Sequence, residues 1–230
     1  MNSVAIITAR GGSKRIPRKN IKEFLGKPIL VYSIEAAIKS GIFEEVMVST
    51  EDEEIARIAR EAGATVPFMR KKENADDFST TTDVLLEVLD EYEKRGRYFE
   101  FACCIYPTAP FVTDEKLRNG MNRLAADDEA DTLMPVVSFS FPPQRAMIIK
   151  EGRLGFNMPE YALTRSQDLE PWYHDAGQFY CFRTEKLKKN KILTVGNVLP
   201  YIVSEMEVQD IDTLSDLNIA EMKYKAMMEK

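Results

Sequence analysis

The sequence is poor in the residues that build covalent frames and metal or redox centres. It has three cysteines, one histidine and one tryptophan in 230 residues. Cys103 and Cys104 are adjacent and Cys181 lies far from both. That odd count lacks the paired spacing of a zinc site or a disulfide scaffold, and points to buried thiols in a reducing compartment, the cytoplasm. No apolar run approaches the ~20 residues of a membrane-spanning helix, and the apolar stretch near the amino terminus is too short for a signal-peptide core. Internal repeats and low-complexity tracts are absent. An excess of positive charge is also missing, since 31 Lys and Arg stand against 37 Asp and Glu, a net −6. Non-specific nucleic-acid binding, which works by neutralising phosphates, is therefore disfavoured. The expected ligands are small molecules, with no nucleic acid and no membrane as partners.

What is present is a chain with 44% hydrophobic residues, long enough to bury a full core without staples. Short apolar runs at 4–8, 46–49, 65–68, 101–105 and 132–137 read as buried strands, with segments of helical period between them. Leu30, Ile34, Ala37 and Ile38 share one helical face, as do Ile55, Ile58, Ala59 and Ala62, then Leu85, Val88, Leu89 and Tyr92, then Leu117, Met121, Leu124 and Ala125. Gly41, Gly63 and Gly96 stop the first three, and a threonine run caps the third. This alternation predicts an α/β fold, a mostly parallel sheet with helices on both faces. The rhythm breaks over 138–172, which is rich in proline and aromatic residues. A turn at 151–153 joins two short strands there, and an apolar, irregular insertion of this size is expected to pack on a second subunit. Alternation returns with strands at 179–182 and 201–203, a short helix at 185–189 and a last helix bearing Leu214, Leu217, Ala220 and Tyr224. The whole chain, 1–230, reads as one domain with an inserted arm.

The most informative segment is ARGGSKRIPRKN at 9–20, directly after the first strand. Residues 10–19 hold Arg10, Lys14, Arg15, Arg18 and Lys19 and no acid. The net charge thus divides into +5 on this loop and −11 on the rest. Gly11, Gly12 and Ser13 supply a turn whose N–H groups can point at an anion. In open α/β sheets ligands bind beyond the carboxyl ends of the strands, where this loop emerges. Arg and Lys together suit a polyphosphate. The loop matches neither a Walker loop nor a dinucleotide fingerprint, and a solvated basic loop is the bland alternative.

A triphosphate usually arrives with Mg²⁺, so carboxylates are expected at another strand end. Asp210 and Asp212, one residue apart in VQDIDTLSD, fall on the same side of an extended segment; capping of the last helix is the alternative for Asp212. Tyr106–Pro110 forms a rigid turn after the strand at 101–105. Arg70, Asp76, Asp77 and residues 79–82 make a polar run before a helix, able to cap it or to hold a ribose or base. His174 sits in YHDAGQ, a polar entry to a strand.

Taken in order, ARGGSKRIPRKN, GKPIL at 26–30, VSTEDEEIA at 48–56, YPTAP at 106–110 and DIDT at 210–213 resemble the cytidylyltransferases that activate nonulosonic acids and Kdo as CMP-sugars. The resemblance spans nearly the whole chain. YPTAPF at 106–111 and YHDAGQFY at 173–180 resemble the pseudaminic acid branch of that family. Two positions depart from the usual pattern, Glu51 in place of Asp and Cys181 where that branch often has Trp. The resemblance implies a Rossmann-like fold of the nucleotide-diphospho-sugar transferase type with a small β-rich dimerisation arm, and a homodimer. It implies an Mg²⁺-dependent reaction of CTP with a nine-carbon acidic sugar, most similar to pseudaminic acid, for glycosylation of surface glycan or flagellin. Arg10 and Lys19 match the catalytic phosphate-contacting residues, and Asp210 and Asp212 the Mg²⁺ pair. Lys14, Asn20, Arg70, Thr81, Tyr106 and Gln178 match substrate contacts, the last two near the sugar, and the turn at Gly11 and Gly12 is expected to add backbone N–H contacts to the substrate. N-acetylneuraminic acid, legionaminic acid and Kdo are the alternative sugars, and a non-catalytic nucleotide-binding regulator is the alternative of another class.

Overall fold

A computed structural model describes residues 1–75 and 78–229. In chain order the elements are β1 (Ser3–Thr8), β2 (Glu23–Phe24), β3 (Lys27–Pro28), α1 (Ile29–Ser40), β4 (Glu45–Ser49), α2 (Glu53–Glu61), α3 (Thr81–Lys94), β5 (Phe101–Ile105), α4 (Asp114–Ala125) and β6 (Thr132–Ser138). They continue with β7 (Met147–Lys150), β8 (Arg153–Phe156), β9 (Tyr173–Asp175), β10 (Phe179–Arg183), α5 (Thr184–Asn190), β11 (Val198–Ile202) and α6 (Leu214–Met228).

The main sheet runs β11-β6-β10-β5-β1-β4, with β9 added beside β6. β1 pairs in parallel with both β4 and β5, and β6 with β11. β10 enters antiparallel between β5 and β6. The continuous apolar runs of β1 and β5 follow from burial on both faces. Ala5 and Ile7 pack with Leu30, Ile34, Ile55, Ala59, Leu117 and Met121 from α1, α2 and α4. Val4 and Ile6 face the other way, with Leu85, Val88 and Tyr92 of α3 and Leu187 of α5. Strand period two thus feeds two helical layers from one sheet.

Local signals explain most boundaries. α3 starts at a reciprocal cap in which Thr80 and Asp83 hydrogen-bond each other's backbone N–H, and α1 closes on Gly41. The strand expected at 65–68 does not form; Thr65 makes a single parallel bridge to Met47, and Pro67 removes the next donor a ladder needs. Ile38 and Leu214, expected on buried faces, are 44% and 57% exposed, because each lies in a terminal turn of its helix. No helix among the described residues is long and apolar enough to cross a membrane.

The insertion at 138–172 leaves where β6 ends and returns where β9 begins, with Ser138 opposite Tyr173. The Phe139 N–H donates to the Trp172 carbonyl at 3.0 Å and closes its base. It carries the β7–β8 hairpin, separate from the main sheet. Phe141, Ile149, Leu154 and Leu163 are exposed there.

α4 lies against the sheet at Gly120, where an added Cβ would meet Phe179, Cys181 and Leu133 at 3.2, 3.3 and 3.3 Å. Gly120→Leu is expected to cost about 1–3 kcal/mol by overpacking. The check is a lower urea midpoint at unchanged denaturant slope.

Candidate active site

β1, β4 and β5 run parallel, so their carboxyl ends open on one edge. A cavity of about 660 Å³ lies there, lined by Arg10, Lys14, Arg15, Lys19 and Asn20 after β1, by Arg70, by Thr80 and Thr81 at the start of α3, and by Tyr106 after β5. Seven residues expected from sequence therefore meet in one cavity: Arg10, Lys14, Lys19, Asn20, Arg70, Thr81 and Tyr106. Arg70 is buried and its guanidinium donates to the Ser49 hydroxyl and carbonyl, at 3.0 and 2.5 Å. Burial lowers its pKa, yet a guanidinium stays cationic in proteins. Asp76 and Asp77 lie outside the described residues.

The basic loop is held by acids at the end of β4. The Gly11 N–H donates to Glu51 Oε1 at 2.7 Å. The Gly11 N–H is thus occupied by Glu51, and neither Gly11 nor Gly12 is among the residues lining the cavity. What Gly11 supplies is space, since a Cβ would stand 2.7 Å from Asp52 Oδ2. Arg18, in a left-handed conformation, donates to both oxygens of Asp52 and reaches Glu54 at 2.5 Å. Asp52 also caps α2 by accepting from the N–H groups of Glu54 and Ile55. The Arg18 hydrogen bonds pull the Asp52 carboxyl down to about 2, against the upward push of burial. Arg18 is thus a clasp and no part of the cavity wall. Buried Asn20 braces the loop from inside, donating to the Arg10 carbonyl at 2.8 Å.

The two carboxylates of the expected metal pair have different neighbours. Asp212 Oδ1 accepts from Arg15 at 2.6 Å and lies 3.4 Å from Lys19 Nζ, which also donates to the Ile211 carbonyl at 2.9 Å. Helix capping falls to Thr213 and Asp216, so Asp212 is not the cap. Ile211 is buried in one apolar cluster with Ile16 of the basic loop, Phe24, Phe111 and Leu217. That cluster seats the acidic segment against the cationic one. Asp210 instead lines a second cavity, of about 680 Å³. The two carboxylates, expected on one side of an extended segment, have different neighbours: Arg15 and Lys19 meet Asp212, and Asp210 lines the second cavity. Two carboxylate donors suit a hard cation that keeps waters or substrate oxygens as its other ligands. Among the described residues there is no group of three or more metal-capable side chains.

Tyr106 lines both cavities. Its hydroxyl is 3.3 Å from Thr81 Oγ1, its N–H donates to the Gln178 carbonyl at 2.9 Å, and its ring meets Tyr180 edge-on at 5.5 Å. Tyr180 donates to Asp175 Oδ2 at 2.6 Å. Burial pushes both phenols up, with Cys104 beside Tyr106 and Tyr106 beside Tyr180 adding to it. Asp175, Glu205, Asp210 and His174 line the second cavity, with no Lys or Arg among its described lining residues. Gln178, expected to face a ligand, lines neither cavity. It is buried, its Nε2 donates to the Glu207 carbonyl, and its Oε1 has no hydrogen-bond partner among the described residues. Against the push of burial, Lys116 at 2.7 Å holds the Glu207 carboxyl below its ordinary value. Sequence reading missed this pair and the Arg18–Asp52 clasp, although acids next to a basic loop at a strand end were a usable signal for the second.

Asp52→Asn keeps a competent cap but loses the ion pair. The expected cost near pH 7 is about 1 kcal/mol, discounted for solvent because the Arg18 side chain is 38% exposed. Asp52→Ala adds about 1 kcal/mol for the lost cap. A carboxyl depressed on folding stabilises above its unfolded pKa and loses that contribution as it protonates. The Asn deficit should therefore be full above the ordinary value of 3.8 and close as pH falls toward about 2. Urea titrations across that range check it.

Comparison with known proteins places the chain in a family. A family model described as cytidylyltransferase matches residues 4–202. The chain is 38% identical over 226 residues to pseudaminic acid cytidylyltransferase of Campylobacter jejuni subsp. jejuni serotype O:2, covering 98% of this chain and 97% of that protein. It is 30% identical over 228 residues to CMP-N,N'-diacetyllegionaminic acid synthase of Legionella pneumophila subsp. pneumophila, covering 96% and 95%. A solved structure of CMP:2-keto-3-deoxy-manno-octonic acid synthetase complexed with CTP shares the fold, with a TM-score of 0.72 at 18% identity over 100% of both chains. The chain belongs to the cytidylyltransferase family.

Proposed function

We propose that the chain transfers the cytidylyl group of CTP to the anomeric hydroxyl of a nine-carbon acidic sugar, pseudaminic acid, and releases pyrophosphate. The observation that carries this reading is a pair of adjoining cavities, one lined by the cations of the β1 loop and the other by acids and aromatics, with Tyr106 between them. The likeness to pseudaminic acid cytidylyltransferases supports the choice of sugar.

In this reading the triphosphate lies along Arg10, Lys14 and Lys19. Arg70 and Thr81 hold the ribose and base, and the sugar occupies the second cavity. The hydroxyl oxygen attacks the α-phosphorus in line as the bond to pyrophosphate breaks, and its proton passes to solvent. Positioning and charge neutralisation then supply most of the rate. Arg10 and Lys19 stabilise charge on the leaving group. Asp210 and Asp212 would hold Mg²⁺, which when bound neutralises phosphate charge and acts as a Lewis acid. Gln178 acts from beneath, fixing Tyr106 through its carbonyl. The arm at 138–172 covers its exposed Phe141 and Leu163 against a second copy, making a homodimer.

Pyrophosphate release with CTP and a panel of acids tests the reading. The highest kcat/KM is expected for pseudaminic acid; a higher value for N-acetylneuraminic acid, legionaminic acid or Kdo transfers the assignment to that sugar. Release that ignores the sugar, or none at all, leaves a nucleotide-binding regulator. Arg10→Ala and Lys19→Ala should each cut turnover by about 100-fold or more with unchanged circular dichroism, and Asp212→Asn should raise the Mg²⁺ requirement steeply. A monomer on gel filtration at micromolar concentration ends the arm assignment.

A further inference from the structure

Asp212 is placed between two competing demands. Its Oδ1 takes Arg15 at 2.6 Å and Lys19 at 3.4 Å. Both cations line the cationic cavity, whereas Asp212 does not. A cation bound through Oδ1 would displace Arg15, and one bound through Oδ2 would stand beside the guanidinium charge, so Arg15 opposes cation binding at either oxygen. The side chains differ in freedom to move. Lys19 is tied down by the Ile211 carbonyl at 2.9 Å, while the Arg15 side chain is 67% exposed. Asp212 is itself free of helix duty, since Thr213 and Asp216 cap α6. Its carboxylate can change partners without unravelling the helix.

We infer that the Arg15–Asp212 ion pair is a latch that couples the two ligands of the site. In the nucleotide-free protein Arg15 occupies the carboxylate. Phosphate oxygens in the adjoining cavity offer the guanidinium a more highly charged partner that it can bind through two N–H groups. Arg15 swings to them and leaves Asp212 open to a divalent cation. Nucleotide and cation then favour each other twice, through direct contact and through removal of a competing arginine. Arg15 is a positioning residue in this scheme, acting through Asp212. The inference rests on the assignment of Asp212 as a cation ligand.

Mn²⁺ binding to the full chain without nucleotide, followed by electron paramagnetic resonance, tests it. Arg15→Gln should tighten Mn²⁺ binding by about two- to fivefold, the range that a largely exposed ion pair commands. Lys22→Gln removes the same charge from an exposed side chain outside both cavities and should give a smaller change. The gain should vanish in an Asp212→Asn background, and at saturating CTP the Arg15→Gln and wild-type affinities should converge. Equal Mn²⁺ affinity for Arg15→Gln and wild type, with Asp212→Asn weakened, overturns the latch and leaves the cation assignment standing. A gain matched by Lys22→Gln, or one that survives in Asp212→Asn, makes the effect general electrostatics and also overturns the latch. If Asp212→Asn binds Mn²⁺ as wild type does, the cation assignment itself fails.

Discussion

Five cations within ten residues repel one another, and acids from two distant segments of the chain meet that loop and offset the repulsion. Glu51 takes the Gly11 N–H, Asp52 takes Arg18, and Asp212 takes Arg15 and Lys19. The charges do not stand alone. Ile16 and Ile211 are buried in one cluster, so an apolar contact sets the separation at which the ionic contacts operate. Exposed ion pairs are individually weak; here several of them act on a backbone already anchored by burial. The loop therefore presents Arg10 and Lys14 to the cavity and keeps Arg18 out of it.

The sheet supplies the second constraint. Because β1 sits between β4 and β5 in parallel, the basic loop, its acidic clasp and the Tyr106 turn leave from the same edge. β10 runs antiparallel beside β5 and delivers Gln178 to the base of Tyr106 and Tyr180 to its ring. One reversed strand thus fixes the residue that divides the two cavities. A slip by one residue in that pairing would turn Tyr180 to the opposite face of the sheet.

Much of this was legible in the sequence, and the failures have physical causes. Periodicity located β1, β5 and α1–α4 because their faces are fully buried. It overreached at Thr65–Phe68, where Pro67 stops a ladder after one bridge. The cationic loop was visible as charge density, yet density does not say which cations are already paired. Arg18 and Asp52 are 34 residues apart, and no local rule joins them. Gly11 suggested an open N–H, but a glycine required for space against Asp52 looks the same in sequence as one required for an anion. Asp210 and Asp212 alternate in the sequence, and the contact of Arg15 with one of them is a tertiary feature that no local pattern announces.

The charges of the two cavities bear on how an acidic sugar would lie. The second cavity is lined by Asp175, Glu205 and Asp210, with no Lys or Arg among its described lining residues. Such a lining repels a carboxylate and favours hydroxyl and amide N–H donors. In a nonulosonic acid the carboxylate is carried by the anomeric carbon, the same carbon that bears the reacting hydroxyl. An orientation that keeps the carboxylate away from Asp175 and Glu205 therefore places the anomeric end of the sugar, and with it the hydroxyl, on the side of Tyr106 and the cationic cavity, where the α-phosphate would stand. Repulsion at one end and attraction at the other select the same pose. On the proposed reading, the acidity of the sugar cavity is part of what aims the nucleophile.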